Sequence, residues 1–307
     1  MGSLLVGLET WITSAYKEDM ILTVGIVNYN TKNELKKCIE SILQAPPKCE
    51  YQIIIVDNNS KDGSKKFLKQ IEQKNIKCIL NQKNIGFGAA CNKIAKAHNA
   101  HYILFLNPDV KVREKSIDKL IDFFKNNEKV GLVSGKLLFP DGSLQLSCRK
   151  FPTITRVLFG RESALRKAFP NNIISKEYLM AEANYNKIQF PDWVRGAVML
   201  FRMDVFKKIG GFDEKFFLYL EDTDICLRLR EKGYKTAFLP EAVFYHKLAA
   251  STKERQLKTK IIHNISMFHY IKKNMNYNFI LLSFLFIALI TRLIFVFMIL
   301  YIKETKK

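Results

Sequence analysis

Apolar residues along this chain alternate between two rhythms. Ile21 to Val27 is a short apolar run ending in Asn28-Tyr29-Asn30, after which Leu35, Ile39, Ile42 and Leu43 fall on one helical face. Thr31-x-x-Glu34 has the spacing of a capping box for that helix, and Pro46 and Pro47 end it. Tyr51 to Val56 is then a continuous apolar run, the pattern of a strand buried on both faces. The unit recurs: a polar loop from Asp57 to Ser64, a helix through Ile71, a strand from Ile76 to Leu80, and a loop containing Asn84-Ile85-Gly86-Phe87-Gly88. A helix to about His98 and a strand from Tyr102 to Leu106 follow. This alternation predicts an α/β domain with a mostly parallel sheet covered by helices on both faces, its ligands beyond the carboxyl ends of the strands.

The second half keeps the rhythm less strictly. Asn107-Pro108-Asp109 closes the fourth strand, and Ile117, Leu120, Ile121 and Phe124 mark a helix. Val130 to Phe139 reads as a strand, Pro140-Asp141-Gly142-Ser143 as a turn, and residues 150–190 lack a period, as expected of an irregular insertion beside a ligand site. Beyond Asp192-Trp193-Val194-Arg195-Gly196 come an apolar strand to Phe201 and a short helix ending at Gly210-Gly211. Glu221-Asp222-Thr223-Asp224 opens a helix that Gly233 terminates, Tyr234 to Leu239 is a further strand, and His246 follows the segment Ala242 to Tyr245.

The two ends differ from the middle. Leu4, Leu8, Trp11, Ile12 and Ala15 share a helical face, so residues 1–19 read as an amphipathic extension without the basic start of a signal peptide. Between Lys247 and Lys273 seven Lys or Arg face one acid, Glu254, which marks 247–277 as a basic helical linker. Phe279 to Ile302 is apolar apart from Ser283, Thr291 and Arg292. As a helix it is about 36 Å long, enough for a hydrocarbon core of roughly 30 Å. Arg292 opposes simple spanning, since a central charge costs at least ~2.5 kcal/mol. Residues 278–307 are therefore expected to be a membrane-associated tail, spanning, re-entrant or interfacial, on a catalytic domain of residues 20–246.

Charge narrows the partners. A formal charge of +20 over 307 residues implies an anionic surface, a phosphorylated substrate or nucleic acid. The basic residues are spread along helices without a recognition motif, which argues against nucleic acid. Cys38, Cys49, Cys78, Cys91, Cys148 and Cys226 form no Cys-x-x-Cys pair and read as reduced core thiols of a cytoplasmic protein.

The polar clusters at strand ends supply candidate chemistry. Asp57, followed by Asn58-Asn59-Ser60, can accept from a pyrimidine imide or a ribose hydroxyl, or simply make a turn. Asp109 offers hard oxygen to magnesium or manganese beside a diphosphate, and Gly86-Phe87-Gly88 can bring backbone N–H groups to phosphate or sugar. As a dinucleotide fingerprint that loop fails, because Cys91 stands at the third glycine position. Glu221 and Asp222 lie at a helix start, where the dipole favours the charged form and a base stands ready at neutral pH. His246 is either a structural histidine or a metal ligand.

The runs VGIVNYN, IIIVDNNSKDGS, NQKNIGFGAACN, ILFLNPDV and WVRGAVMLFRMDVFKKIGGFDEKFFLYLEDTDICLRLREKGYKTAFLPEAVFYH occur in this order. Together they resemble the family 2 glycosyltransferases of GT-A fold, and within them the rhamnosyltransferase-like branch, over about residues 21–246. The resemblance implies that Val27, Tyr29 and Asp57 contact the nucleotide, with the Asn84–Gly86 loop beside them, and that Asn107 and Asp109 occupy the family's D-x-D position. It implies Asp222 as general base, Glu221 and Arg228 as its support, Trp193, Arg195 and Gly196 as the sugar pocket, and His246 as completing the metal site. Asn107 departs from the family by replacing the first acid of D-x-D, leaving one fewer carboxylate for the cation.

The resulting expectation is an inverting transfer of a sugar from a nucleotide-diphosphate donor, dTDP-rhamnose by resemblance, to a lipid-linked or polysaccharide acceptor at the cytoplasmic membrane face. Galactofuranosyl, glucosyl or other hexosyl donors are alternatives. A sugar-nucleotide nucleotidyltransferase is expected to carry a glycine-rich basic loop where Asn28-Tyr29-Asn30-Thr31 stands. A transferase that binds donor without turnover is suggested by Asn107 alone.

Overall fold

The computed structural model describes residues 21–71, 75–97, 100–153, 155–156, 169, 172–248, 253–275, 277 and 283. The expected extension at 1–19 and all of the apolar tail but Ser283 lie outside these residues. Among the described residues no helix is long and apolar enough to cross a membrane.

In chain order the elements begin β1 (Leu22–Asn28), α1 (Lys32–Gln44), β2 (Tyr51–Asp57), α2 (Ser64–Ile71), β3 (Ile76–Leu80), α3 (Phe87–Ala97) and β4 (Tyr102–Leu106). They continue β5 (Val110–Val112), α4 (Ser116–Lys125), β6 (Val130–Leu138), β7 (Leu144–Gln145), β8 (Cys148–Arg149) and α5 (Ile173–Tyr178). The chain then forms β9 (Trp193–Val194), β10 (Val198–Arg202), α6 (Met203–Lys208), α7 (Glu221–Glu231), β11 (Lys235–His246) and α8 (Lys253–Asn274).

Among the described residues one sheet of nine strands has the order β3-β2-β1-β4-β10-β6-β11-β5, with β7 beside β6. Strands β3, β2, β1, β4, β6 and β11 run one way, and β10, β5 and β7 run against them. The continuous apolar runs explain this placement, because period two sends alternate residues into separate helical layers. Ile53 and Ile55 face one layer with Leu35, Ile42, Leu120 and Phe124, while Ile54 and Val56 face the other with Ile94, Phe206 and Leu229. Each such fully buried aliphatic side chain contributes about 1.5–3 kcal/mol relative to exposure. Met267, Tyr270 and Ile271 of α8 pack into the second layer, so this helix covers the sheet as part of the catalytic fold.

Two expectations change on contact with the structure. Thr31 makes no capping hydrogen bond to α1; its hydroxyl donates to Asn28 Oδ1 at 2.8 Å, and Glu34 pairs instead with Lys247 at 3.1 Å. A strand-end amide competes for the cap and wins. The two segments before His246 are one strand, β11, whose pairing to β6 shifts between Leu239 and Val243. Pro240, lacking an N–H, sits in that shift.

Candidate active site

The carboxyl edge of the sheet carries two rims. On the first, β1 and β2 end in register at Asn28 and Asp57. Both side chains are fully buried: Asn28 Nδ2 donates to Asp57 Oδ1 at 2.7 Å and lies 3.1 Å from Ser60 Oγ, and Asp57 Oδ2 accepts from the Ser60 N–H at 2.9 Å. Asn81 Nδ2 donates to Asn58 Oδ1, and Asn58 Nδ2 donates to the Gly86 carbonyl. Lys93 Nζ reaches Asn81 Oδ1 at 2.6 Å. The rim is thus an amide relay whose polar atoms satisfy one another, with Tyr29, 45% exposed, standing outside it. Val27 is buried in the strand, so only its backbone stands near this edge.

Gly86 ties this rim to the second. Its φ of +90° suits glycine, and a Cβ there would meet the Phe217 carbonyl oxygen at 2.5 Å. Asn84 Oδ1 accepts from the Gly86 N–H, and the Phe87 N–H donates to the Phe217 carbonyl. Residues 212–220 are therefore held against α3, where Asn92 also exchanges hydrogen bonds with the Phe212 backbone and donates to Glu214.

The second rim holds the carboxylates. His246 Nε2 lies 3.3 Å from Asp109 Oδ1, both side chains being more than nine-tenths buried. His246 Nδ1 is 2.6 Å from Gln145 Oε1, which also accepts from Arg195 at 3.5 Å, while Gln145 Nε2 donates to the His246 carbonyl. An amide oxygen only accepts, so Nδ1 carries the proton and Nε2 turns its other face to Asp109. In the neutral tautomer that sets a lone pair against a carboxylate oxygen, an arrangement a cation between them relieves. One carboxylate and one imidazole fit a manganese or magnesium ion in this way. Among the described residues no group of three His, Cys, Asp or Glu forms a metal site, so further positions would fall to ligand oxygens and water.

Arg195-Gly196 joins this pair to α7. The Gly196 N–H donates to Asp222 Oδ2 at 2.9 Å, and a Cβ on Gly196 would meet that carboxylate at 3.3 Å. Thr223 donates to Asp222 Oδ1 through its N–H at 2.8 Å and its hydroxyl at 3.3 Å. A carboxylate has about four acceptor sites, so these donors fix Asp222 and leave capacity for one more. Burial raises its pKa, opposed by these hydrogen bonds and by Arg195. Glu221, buried with Oε2 lacking a partner, is raised further, by burial and then by the Asp222 charge. The expectation of carboxyls made more acidic by the helix dipole is thus reversed, since burial outweighs the dipole.

Tyr219 and Leu220 enter α7 with φ of +70° and +66°. Such left-handed turns cost non-glycine residues about 1–2 kcal/mol each. Asp224, two residues past Asp222, faces away: it is fully buried, 2.8 Å from Arg228 Nε and 2.7 Å from Lys273 Nζ. Arg228 is spent on Asp224 and the Ile209 carbonyl, so it supports α7 from behind.

The structure therefore brings Asp109, His246, Arg195, Gly196 and Asp222 into one connected chain and sets Asp57 within the other rim. Asn107 bonds through its backbone to Ala197, and Trp193 Nε1 donates to the Lys150 carbonyl in the small β8–β9 sheet. Sequence reasoning missed Asn28, Asn81 and Gln145. Asn28 could have been found as a polar residue closing a buried strand.

Comparison with known proteins decides the family. The glycosyl transferase family 2 model matches residues 23–179, and that of glycosyl transferase family group 2 matches residues 102–303. The chain belongs to glycosyl transferase family 2. It is 29% identical over 243 residues to the N-acetylglucosaminyl-diphospho-decaprenol L-rhamnosyltransferase of Mycobacterium tuberculosis, covering 76% of this chain and 78% of that one. It is 32% identical over 228 residues to the rhamnosyltransferase WbbL of Escherichia coli, covering 70% and 79%. The chain is thus of the rhamnosyltransferase-like branch. Among solved structures, the mannosyltransferase PcManGT of Pyrobaculum calidifontis, in complex with GDP-Man and Mn2+, superposes with a TM-score of 0.55 at 13% identity over 89% of this chain and 71% of that one. GalNAc-T7 with UDP, GalNAc and Mn2+ gives 0.58 at 14% over 75% and 44%. These likenesses make the family 2 sheet here GT-A-like.

Proposed function

We propose that this family 2 transferase moves a sugar, rhamnose from dTDP-rhamnose, with inversion onto a hydroxyl of a lipid-linked acceptor in cell-surface glycan synthesis. The observation that carries the reading is the chain Asp109–His246–Gln145–Arg195–Gly196–Asp222, which joins a cation-binding pair to an oriented carboxylate. Asp222 takes the proton of the acceptor hydroxyl as its oxygen bonds to the anomeric carbon and the sugar–phosphate bond breaks toward the diphosphate. Burial raises its pKa and so makes it a stronger base than an ordinary aspartate. Asp109 and His246 would hold a divalent cation, which when bound supplies charge to offset the diphosphate. The amide rim at Asn28 and Asp57 orients the nucleotide beside Tyr29. Rhamnose as the sugar and a lipid-linked acceptor are supported by the relatives' names, the acceptor by the diphospho-decaprenol in that of the mycobacterial protein.

The basic run up to Lys273 and the apolar stretch from Phe279 support a place at the cytoplasmic membrane face, since anionic lipid contributes ~1 kcal/mol per nearby Lys or Arg. The test is nucleoside diphosphate release by the full chain with dTDP-rhamnose and a polyprenyl-diphosphate-sugar acceptor. Release that needs both substrates, stops with chelator and returns with manganese or magnesium is expected. Release from another nucleotide sugar but not this one would overturn the donor, and undiminished release in chelator would overturn the cation.

A further inference from the structure

We propose that Lys273 of α8 is a positioning residue for the base, closing the 212–220 loop by bridging Asp213 at its start to Asp224 in the first turn of α7. Its ammonium lies 2.7 Å from Asp213 Oδ2 and 2.7 Å from Asp224 Oδ1. Asp213 and Asp224 flank the whole loop, so one cation ties its two ends together.

The rest of α8 reinforces the tie. Ser266 Oγ donates to the Leu218 carbonyl at 2.8 Å, immediately before the left-handed pair Tyr219 and Leu220. His269 packs its ring edge-on to Phe216 at 4.6 Å and sets Nε2 3.6 Å from Asp213. Asn274 Nδ2 adds a contact to Asp224 at 3.3 Å. Backbone in a sparsely populated conformation persists only where its surroundings over-determine it. Here α3 holds the loop from one side through Phe87 and Asn92, and α8 holds it from the other.

The left-handed turn decides where Asp222 points. Leu220 occupies the N-cap position of α7 and makes no side-chain cap, so no cap fixes the entry of the chain into its first turn. Its direction is set by the loop and by the Asp224 ion pairs. Loosening either lets Asp222 shift from the Gly196 N–H, and a displacement of about 1 Å at a reacting group costs up to ~10²-fold in rate. Donor binding, which rests on the amide rim and on the Asp109–His246 pair rather than on the position of Asp222, is spared.

The proposal rests on Asp222 being the base, and the experiment separates the two. In the full chain, Lys273→Met, Lys273→Arg and Ser266→Ala are compared for amide exchange in residues 212–222, for kcat and for donor Kd. Lys273→Met is expected to speed exchange there and lower kcat about 10-fold or more while donor Kd stays within about 2-fold. Lys273→Arg, whose guanidinium can engage both carboxylates, is expected to recover most of that loss, and Ser266→Ala to give a smaller change of the same kind. A Lys273→Met protein that melts lower yet keeps kcat and exchange overturns the proposal, as does a kcat loss matched by an equal loss of donor affinity. If Lys273→Met does not fold, unchanged exchange and kcat in Ser266→Ala overturn it. If the wild-type chain transfers no sugar, the function above fails, while the exchange measurement still decides whether the tie exists.

Discussion

Around Asn28 and Asp57, polar side chains from the ends of three neighbouring strands satisfy one another; around Asp222, Glu221 Oε2 is buried without a partner and two consecutive residues are left-handed. The first rim is amide around one carboxylate, with the Lys93 ammonium on Asn81, assembled at the ends of parallel strands in register. The second gathers Asp109, His246 and the adjacent Glu221 and Asp222 from three places in the chain and holds them by long-range contacts. A satisfied rim is rigid before ligand arrives, as recognition of a fixed shape requires. Unbalanced charge and the left-handed Tyr219–Leu220 pair are tolerated where charge must move, whereas the left-handed residues of the first rim, Asn30 and Asn59, are asparagines, which adopt that conformation readily.

The comparison is broken most directly by swapping the effects of its two halves. Asp222→Asn keeps the shape and removes proton acceptance, so kcat is expected to fall roughly 10²- to 10⁴-fold with donor Kd little changed. Asn28→Ala leaves Asp57 short of a donor at a fully buried site, a loss of about 1–3 kcal/mol, and is expected to appear in donor Kd and stability rather than in the saturated rate. Stopped-flow turnover beside calorimetric donor titration reads both. If Asp222→Asn turns over normally while Asp224→Asn or Glu221→Gln abolishes transfer with donor bound, the wrong carboxylate has been assigned.

A smaller effect sharpens the account of the second rim. Gln145 is not itself assigned to the cation; it fixes the His246 tautomer through Nδ1. Partners of this kind change metal affinity about 10- to 100-fold. Gln145→Leu is therefore expected to raise the manganese concentration for half-maximal turnover by that factor, with full rate recovered at saturation. A rate that no manganese restores would mean that Gln145 shapes the sugar site instead.

How much of this could be read beforehand follows the same division. Ile53 to Val56 announce a strand buried on both faces because no amphipathic helix carries four consecutive branched residues into two layers. Asp222 and Asp224 were separable too, since 200° of helix rotation divides them, and the structure sets one toward Gly196 and the other toward Lys273. Gln145 left no trace, because a two-residue strand has no period. Thr31 misled because its spacing to Glu34 fits a cap while its hydroxyl has a better partner in Asn28. Lys273 read as one of a basic run, and only tertiary packing places it between two carboxylates. The raised carboxyl pKa values were invisible for the same reason, since burial is a property of the fold.

The least of the expected effects isolates that burial. Glu221 has a folded pKa well above its ordinary value, first because it is buried and then because Asp222 lies beside it. A group whose folded pKa is raised binds its proton more tightly in the native state, so its stabilising contribution is complete below the unfolded pKa. That contribution is lost as pH rises through the folded pKa, where a buried charge must be accommodated. Glu221→Gln is neutral at every pH and is spared this loss. Asp222, shifted in the same direction, is present in both proteins and drops out of the difference to first order. Melting temperatures of wild type and Glu221→Gln, measured from acid to alkaline pH, are thus expected to diverge in the variant's favour as pH rises. The first rim supplies the contrast: Asn81→Leu, which removes an amide in place of a carboxyl, is expected to shift melting by the same amount at every pH. A Glu221→Gln difference equally flat would mean that the second rim holds its carboxylates no more awkwardly than the first holds its amides.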